Sequence, residues 1–246
     1  MSMDSYTLPC KILSSDVDPR RRLRLSRLFT LLQEAAIAHT EGLGFGREKT
    51  LDRGYLWVVA LQQIHVTRLP VYDEHVVLES VPGETMHTLY PRYTRILDEQ
   101  GAELLKASAI WTLIDEKARS MVSPEKTGVL IHGMAADWKT AFPRPPKSAS
   151  DASPRSWIVP YSMTDLNGHM NNARYVDLAE DAMPPTLRQR RLRSVQAEYS
   201  AEVRVGDTVE LSAEALEDGF LFSGSAGKRV FRLRFDYYRG DEPNGL

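Results

Sequence analysis

Only one of the 246 residues, Cys10, is a cysteine, which excludes an internal disulfide framework. Such a chain suits a reducing compartment, so the cytoplasm is the expected location. No apolar run approaches the ~20 residues that a membrane helix needs. The opening MSMDSYTLPCKIL lacks the basic segment and apolar core of a secretory signal. Net charge is scarce too: 31 Lys and Arg against 33 Asp and Glu leave −2, so no global field favours nucleic acid or anionic lipid. The H-x-x-x-H, C-x-x-C and H-E-x-x-H spacings are absent, which argues against a metal. No phosphate-loop or dinucleotide glycine motif occurs, because Gly42, Gly44 and Gly46 end a helical pattern rather than open one. No cofactor is expected.

What is present reads as α+β. Residues 6–13 and 22–25 have strand character, and Ser26 is placed to cap a helix running to about Thr40, with Leu28, Leu31, Leu32, Ala35 and Ala36 on one face. From Tyr55 the period changes to long segments rich in β-branched and aromatic residues, with a turn signal at Gly101. Residues 134–155, rich in proline and serine, read as a linker between domains at 1–133 and 156–246. After it come strand patterns at 156–161, 191–203, 206–217 and 219–238. The halves look like copies. EVRVGDTVELSA (202–213) lies on LPVYDEHVVLES (69–80), and RYVDLAEDA (174–182) on LFTLLQEAA (28–36). By these alignments Asp165, Asn167 and His169 stand opposite Pro19, Arg21 and Leu23, Glu180 opposite Glu34, and Glu202 opposite Leu69.

The chemistry concentrates in Tyr161–Pro184, YSMTDLNGHMNNARYVDLAEDAMP. Asn171 or Asn172 is a natural N-cap for the helix that follows, and Pro184-Pro185 stops it. Backbone N–H groups at such a helix start favour negative charge, as an oxyanion requires. In an extended segment Asp165, Asn167 and His169 would face one side. The other reading of D-x-N-G-H is a turn satisfied by its own side-chain hydrogen bonds. Glu202 reads as a strand carboxylate among apolar neighbours, suited to general-base work. No serine sits in a nucleophile elbow and Cys10 belongs to the other half, so attack by activated water on a polarised carbonyl is the economical chemistry.

DLNGHMNNARY, the following AEYSAEV and the upstream LWVVALQQIHVTRLPVYDEHV resemble acyl-acyl carrier protein thioesterases, which are tandem hot-dog proteins. The resemblance covers nearly the whole chain. It implies two hot-dog domains, each a helix wrapped by an antiparallel sheet, and hydrolysis of fatty acyl-acyl carrier protein. Asp165, Asn167 and His169 match the family's motif and Glu202 its later glutamate. Val203 stands where plant members often carry a cysteine, so a cysteine mechanism does not transfer. The resemblance leaves two candidate bases, Asp165 and Glu202; the expectation taken forward is Glu202, with Asn167 and the helix start on the carbonyl and with Asp165 and His169 orienting. The acyl-chain pocket is expected in the first half, with Trp57, Val59, Leu61, Trp111 and Leu113 as candidates, which are also what any buried sheet contains; Asn172 is a further substrate-binding candidate. An acidic carrier protein implies a basic docking patch, either Arg188, Arg190, Arg191 and Arg193 or Arg20, Arg21, Arg22 and Arg24. The alternatives are an acyl-CoA thioesterase and a non-catalytic acyl-binding protein. A monomer and a homodimer both fit the duplication.

Overall fold

The computed structural model describes residues 5–134, 136–147 and 154–239. The chain divides into two compact units: one takes in the residues up to Arg24 and Thr30–Phe142, the other Leu25–Phe29 and the residues from Pro143 onward. The division at Phe142/Pro143 falls within the stretch read as a linker, of which residues 135 and 148–153 lie outside the described residues.

In the first unit β1 (Tyr6–Lys11) leads to α1 (Leu25–Gly42), of which Thr30–Gly42 belong to this unit, then β2 (Tyr55–Val66), β3 (His75–Pro82), β4 (Leu89–Asp98), β5 (Glu103–Asp115) and the one-turn α2 (Pro124–Thr127). Its strands order as β1-β3-β4-β5-β2, antiparallel throughout. The second unit repeats the scheme with β6 (Arg155–Ile158), α3 (Asn172–Ala182), the one-turn α4 (Pro185–Arg188), β7 (Leu192–Tyr199), β8 (Thr208–Leu216), β9 (Gly219–Ala226) and β10 (Lys228–Tyr237). The order is β6-β8-β9-β10-β7, again antiparallel. The registers agree as well: Lys11 pairs with His75 where Ile158 pairs with Thr208. This is the duplicated α+β, hot-dog layout that the sequence led us to expect.

Several local expectations need correction. Residues 22–25 form no strand; Arg22 and Leu23 make only isolated bridges, to Val71 and Val17. α1 begins at Leu25, with Arg24 at the N-cap and no side-chain cap. Ser26 lies inside the first turn, because Leu23 N–H donating to Pro70 O and Arg24 N–H to Asp16 O already fix where the helix starts. The pattern over 219–238 is two strands, broken by Gly227 at φ 67°. The one over 191–203 ends at Tyr199, which leaves Glu202 on the following connection.

The two interiors differ in kind. In the first unit Arg92 is buried beneath α1, where its Nη1 donates to His39 Nδ1 (2.8 Å) and Ser80 Oγ (3.1 Å), and its Nη2 to Thr40 Oγ1 (2.9 Å). Burial pulls its guanidinium down to about 10. His39, in the last turn of α1, is thus a buried partner of Arg92. By register, Arg92, Ser80 and Thr94 correspond to Phe220, Ala213 and Phe222 in the second unit. There the core is aromatic: the Phe231 ring lies 4.6 Å from that of Tyr175 and 5.6 Å from that of Phe222.

The segment after α2 covers the outer face of the first sheet. Trp138 stacks on Arg95 at 3.9 Å, Phe142 lies 5.6 Å from Tyr93, and Ser108 Oγ donates to Thr140 O. Farther along, Arg144 Nη1 donates to Glu198 Oε1 at 3.0 Å. The described part of the expected linker is therefore a fitted strap rather than a free tether.

Phe231 fits over Gly224 of the neighbouring strand because that position has no Cβ. Gly224→Ala would put a carbon 2.3 Å from Phe231 Cε1 and 2.8 Å from Val209 Cγ1. It is expected to cost about 1–3 kcal/mol, seen as a lower urea midpoint with an unchanged slope.

Candidate active site

Between β6 and α3 the chain makes a tight turn at Asp165–His169. Asp165 N–H donates to His169 O (2.9 Å), and Gly168 N–H donates back to Asp165 O (3.0 Å). The Asp165 carboxylate accepts from Asn167 N–H at 2.8 Å. Gly168 sits at φ 73°, a conformation that glycine adopts without a steric penalty. The segment is thus the side-chain-satisfied turn rather than an extended strand, and Asp165, Asn167 and His169 do not share one face. The turn is pinned to the rest of the unit by Met170 N–H to Val203 O and Asn171 N–H to Met163 O, both 2.9 Å.

This anchoring separates three environments. Asn167 projects from the turn into solvent, whereas His169 is only 7% exposed. His169 Nε2 lies 3.4 Å from Glu202 Oε2, whose side chain is 31% exposed. A carboxylate that touches a buried imidazole while staying open to water is arranged for proton transfer. At the start of α3, Asn171 is the N-cap, and its Oδ1 accepts from Ala173 N–H at 2.9 Å. That N–H is therefore spoken for, and the expectation that the helix start would bind the substrate carbonyl loses one donor. Asn172 follows the cap, and its carbonyl accepts from Tyr199 OH at 3.2 Å.

Tyr175 escaped the sequence reading. It lies buried one turn into α3, and burial with the nearby Asp165 charge pushes its phenol above the ordinary range. Its spacing from the cap residue on the same helix face was the available signal.

The first unit contains the same backbone device. Asp18 N–H donates to Arg22 O, Arg21 N–H to Asp18 O, Leu23 N–H to Pro70 O and Arg24 N–H to Asp16 O. Arg20 N–H donates to the Asp18 carboxylate at 2.8 Å, as Asn167 N–H does to Asp165. These bonds shift the helix alignment by one residue from that read in the sequence. Asp165 corresponds to Asp18, Asn167 to Arg20, Gly168 to Arg21 and His169 to Arg22, while Glu180 falls on Gln33. The strand alignment stands, and Glu202 still corresponds to Leu69. So Asp165 is not peculiar to the second unit. Its turn-forming role is shared, and of the four candidates only Asn167, His169 and Glu202 differ from their counterparts, Arg20, Arg22 and Leu69.

The remaining candidates lie elsewhere. Trp57 and Trp111 belong to an apolar cluster of the first unit with Tyr90, Leu113, Val129 and Ile131, and the Trp57 and Tyr90 rings meet edge-on at 4.8 Å. Of the arginine run, Arg190 is committed to Asp218 Oδ1 (2.8 Å), Glu217 O (2.6 Å) and Tyr238 O (2.8 Å). Arg191 stacks on Tyr238 at 4.5 Å, whereas Arg188 and Arg193 are exposed. Among the described residues no group of three or more His, Cys, Asp or Glu side chains is arranged to hold a metal, and no helix is long and apolar enough to cross a membrane.

Residues 3–127 match the family model described as acyl-ACP thioesterase N-terminal domain, and residues 147–239 match its C-terminal domain. An acyl-[acyl-carrier-protein] hydrolase of Cuphea viscosissima is 27% identical over 238 residues, covering 90% of this chain and 58% of that protein. A palmitoyl-acyl carrier protein thioesterase of Cuphea hookeriana is 26% identical, covering 90% of this chain and 57% of its own length. The chain thus spans somewhat under three-fifths of these relatives. A solved acyl-ACP thioesterase from Bacteroides thetaiotaomicron superposes with a TM-score of 0.84 at 22% identity, covering 97% of this chain and 100% of that one.

If Asp165 acts first as the acceptor that closes the turn, Asp165→Asn retains most of the stability, since its amide oxygen still accepts. Asp165→Ala should cost about 1 kcal/mol or more. Equal thermal denaturation midpoints for the two variants would contradict this role.

Proposed function

The chain belongs to the acyl-ACP thioesterase family through both of its halves, and from that premise we propose that it hydrolyses the thioester of fatty acyl-acyl carrier protein to a free fatty acid and the carrier thiol. The observation that carries the mechanism is the contact between His169 and Glu202 at 3.4 Å, beside an exposed Asn167. Glu202, reached by solvent, takes a proton from water as its oxygen attacks the thioester carbon. His169, buried and held by the turn, orients that carboxylate. The Asn167 amide donates to the carbonyl oxygen as it gains charge, a contribution of a few kcal/mol when such a donor is held in place. The tetrahedral intermediate then collapses, the C–S bond breaks, and the proton held by Glu202 passes to the leaving sulfur. No covalent acyl-enzyme forms, in keeping with Val203 at the position where a cysteine mechanism would need its thiol.

We place Asp165 outside the proton path, since Asp18 closes the same turn in a unit that has Arg22 and Leu69 where the second has His169 and Glu202. We also place the activity in the cytoplasm, on the ground of the single cysteine.

Thiol release from acyl chains of graded length, each on carrier protein and on coenzyme A, tests this reading. We expect preference for the carrier-protein series; preference for the coenzyme A series would move the role to that substrate, and no turnover of either would favour an acyl-binding protein. Glu202→Gln should lower kcat by about 10²–10⁴-fold, and Asn167→Ala by about 10²–10³-fold. Asp165→Asn should stay within about tenfold of the parent, because its turn survives. A collapse of Asp165→Asn to the level of Glu202→Gln would make Asp165 the base.

A further inference from the structure

The first unit's copy of the turn has no part in the hydrolysis above, yet its sequence is far from neutral. Where the second unit has Asn167, Gly168 and His169, it has Arg20, Arg21 and Arg22, with Arg24 at the N-cap of α1. Arg21 occupies φ 64°, matching Gly168 at φ 73°. An arginine there is less stable than glycine would be. A residue kept in an unfavourable conformation at an exposed turn tip suggests a use for its side chain.

The surroundings suggest which use. The turn is stitched to the 69–74 connection by Tyr72 N–H to Arg21 O (2.8 Å) and by the Arg22–Val71 bridge. Leu13, at the other side, donates its N–H to Asp16. On these joined segments Leu13, Val71 and Tyr72 are 52%, 40% and 47% exposed. Of the acids on these segments, Asp18 is matched by Arg22 (2.9 Å), Glu74 by Arg68 (2.6 Å) and Asp73 by Lys11 (2.7 Å), while Asp16 is buried and accepts from Leu13 N–H. Arg21 and Arg24, both exposed, are therefore positive charge in excess of local carboxylates. Exposed apolar side chains on segments that also carry guanidinium groups fit a folded partner bearing both carboxylates and apolar side chains. A small anion would not use the apolar side chains.

We infer that this copy of the turn is the docking surface for an acidic protein, and that the occupant is the acyl-loaded carrier protein. The inference rests on the carrier-protein reading given above. Duplication would then have divided the labour, with one turn keeping acid–base groups and the other keeping arginines.

The test compares the intact chain with Arg20→Glu/Arg24→Glu, Arg21→Gly and, as a contrast, Arg188→Glu/Arg193→Glu. Each is assayed on one acyl chain carried by carrier protein and by free pantetheine. The Arg20/Arg24 variant should raise KM for the carrier thioester about tenfold or more, with kcat and pantetheine-thioester turnover unchanged and the salt dependence flattened. Arg21→Gly should raise the melting temperature by about 2–4 °C and still raise that KM, which a merely structural arginine would not do. Carrier KM values within about twofold of the parent in both, an equal loss on both substrates, or transfer of the effect to the Arg188/Arg193 variant would overturn the inference. A parent enzyme without preference for the carrier thioester would overturn the reading beneath it, and that result needs no variant.

Discussion

Each unit depends on one backbone contact: the N–H of the residue before the helix cap donates to a carbonyl on the connection between two strands. It is Leu23 to Pro70 in the first unit and Met170 to Val203 in the second. That bond, with its companion to the segment before the turn, fixes the helix start, the register of the turn and the distance from the turn to the connection. Because Glu202 immediately precedes Val203, and His169 immediately precedes Met170, the contact also brings their side chains together. The site therefore needs no long-range coincidence. Two adjacent residues inherit their proximity from a structural hydrogen bond that the fold makes in any case, with or without chemistry.

That economy explains how one scaffold carries two different surfaces. The backbone bonds at 18–24 and 165–171 correspond one to one, and their side chains have been exchanged without disturbing them. Beneath the sheets the same freedom applies: Arg92, His39, Ser80 and Thr40 form a satisfied polar network in one unit, and Phe220, Phe222 and Phe231 fill the other. A buried arginine is tolerated there because its two terminal nitrogens meet well-placed acceptors in His39, Ser80 and Thr40. The second unit, with no such acceptors, can hold only apolar rings there.

Much of this was legible in the sequence, and for physical reasons. Long β-branched segments and a helical period survive any change of surface residues, so the duplicated α+β order could be read directly. The strand alignment that set Glu202 opposite Leu69 was right because strand alternation penalises a slip of one residue by turning every side chain over. The helix alignment slipped by one because apolar residues three and four apart satisfy more than one register. Only the hydrogen bonds to Asp18 and Asp165 settle it. Glu202 was misplaced on a strand because YSAEV has strand composition, while the pairing that defines a strand ends at Tyr199. Its neighbours could not reveal that. The strap over the first sheet was also hidden: proline and serine signal an irregular backbone, and not whether Trp138 finds Arg95.

The one-residue correction changes the chemistry more than the fold. With Asp165 opposite Pro19, all four polar residues seemed to have been acquired by one copy, and any of the acids could claim the water. With Asp165 opposite Asp18, one carboxylate is accounted for by a duty that both copies share, since a short acceptor at that place closes the turn whether the next residues are Pro-Arg-Arg or Leu-Asn-Gly. What the second unit adds is an amide in solvent, an imidazole out of it, and a carboxylate touching the imidazole. Those are the parts that polarisation of a carbonyl and activation of a water require. A comparison between two halves of one chain thus separates the residue that closes the turn in both copies from the residues that differ between them and carry the proposed chemistry.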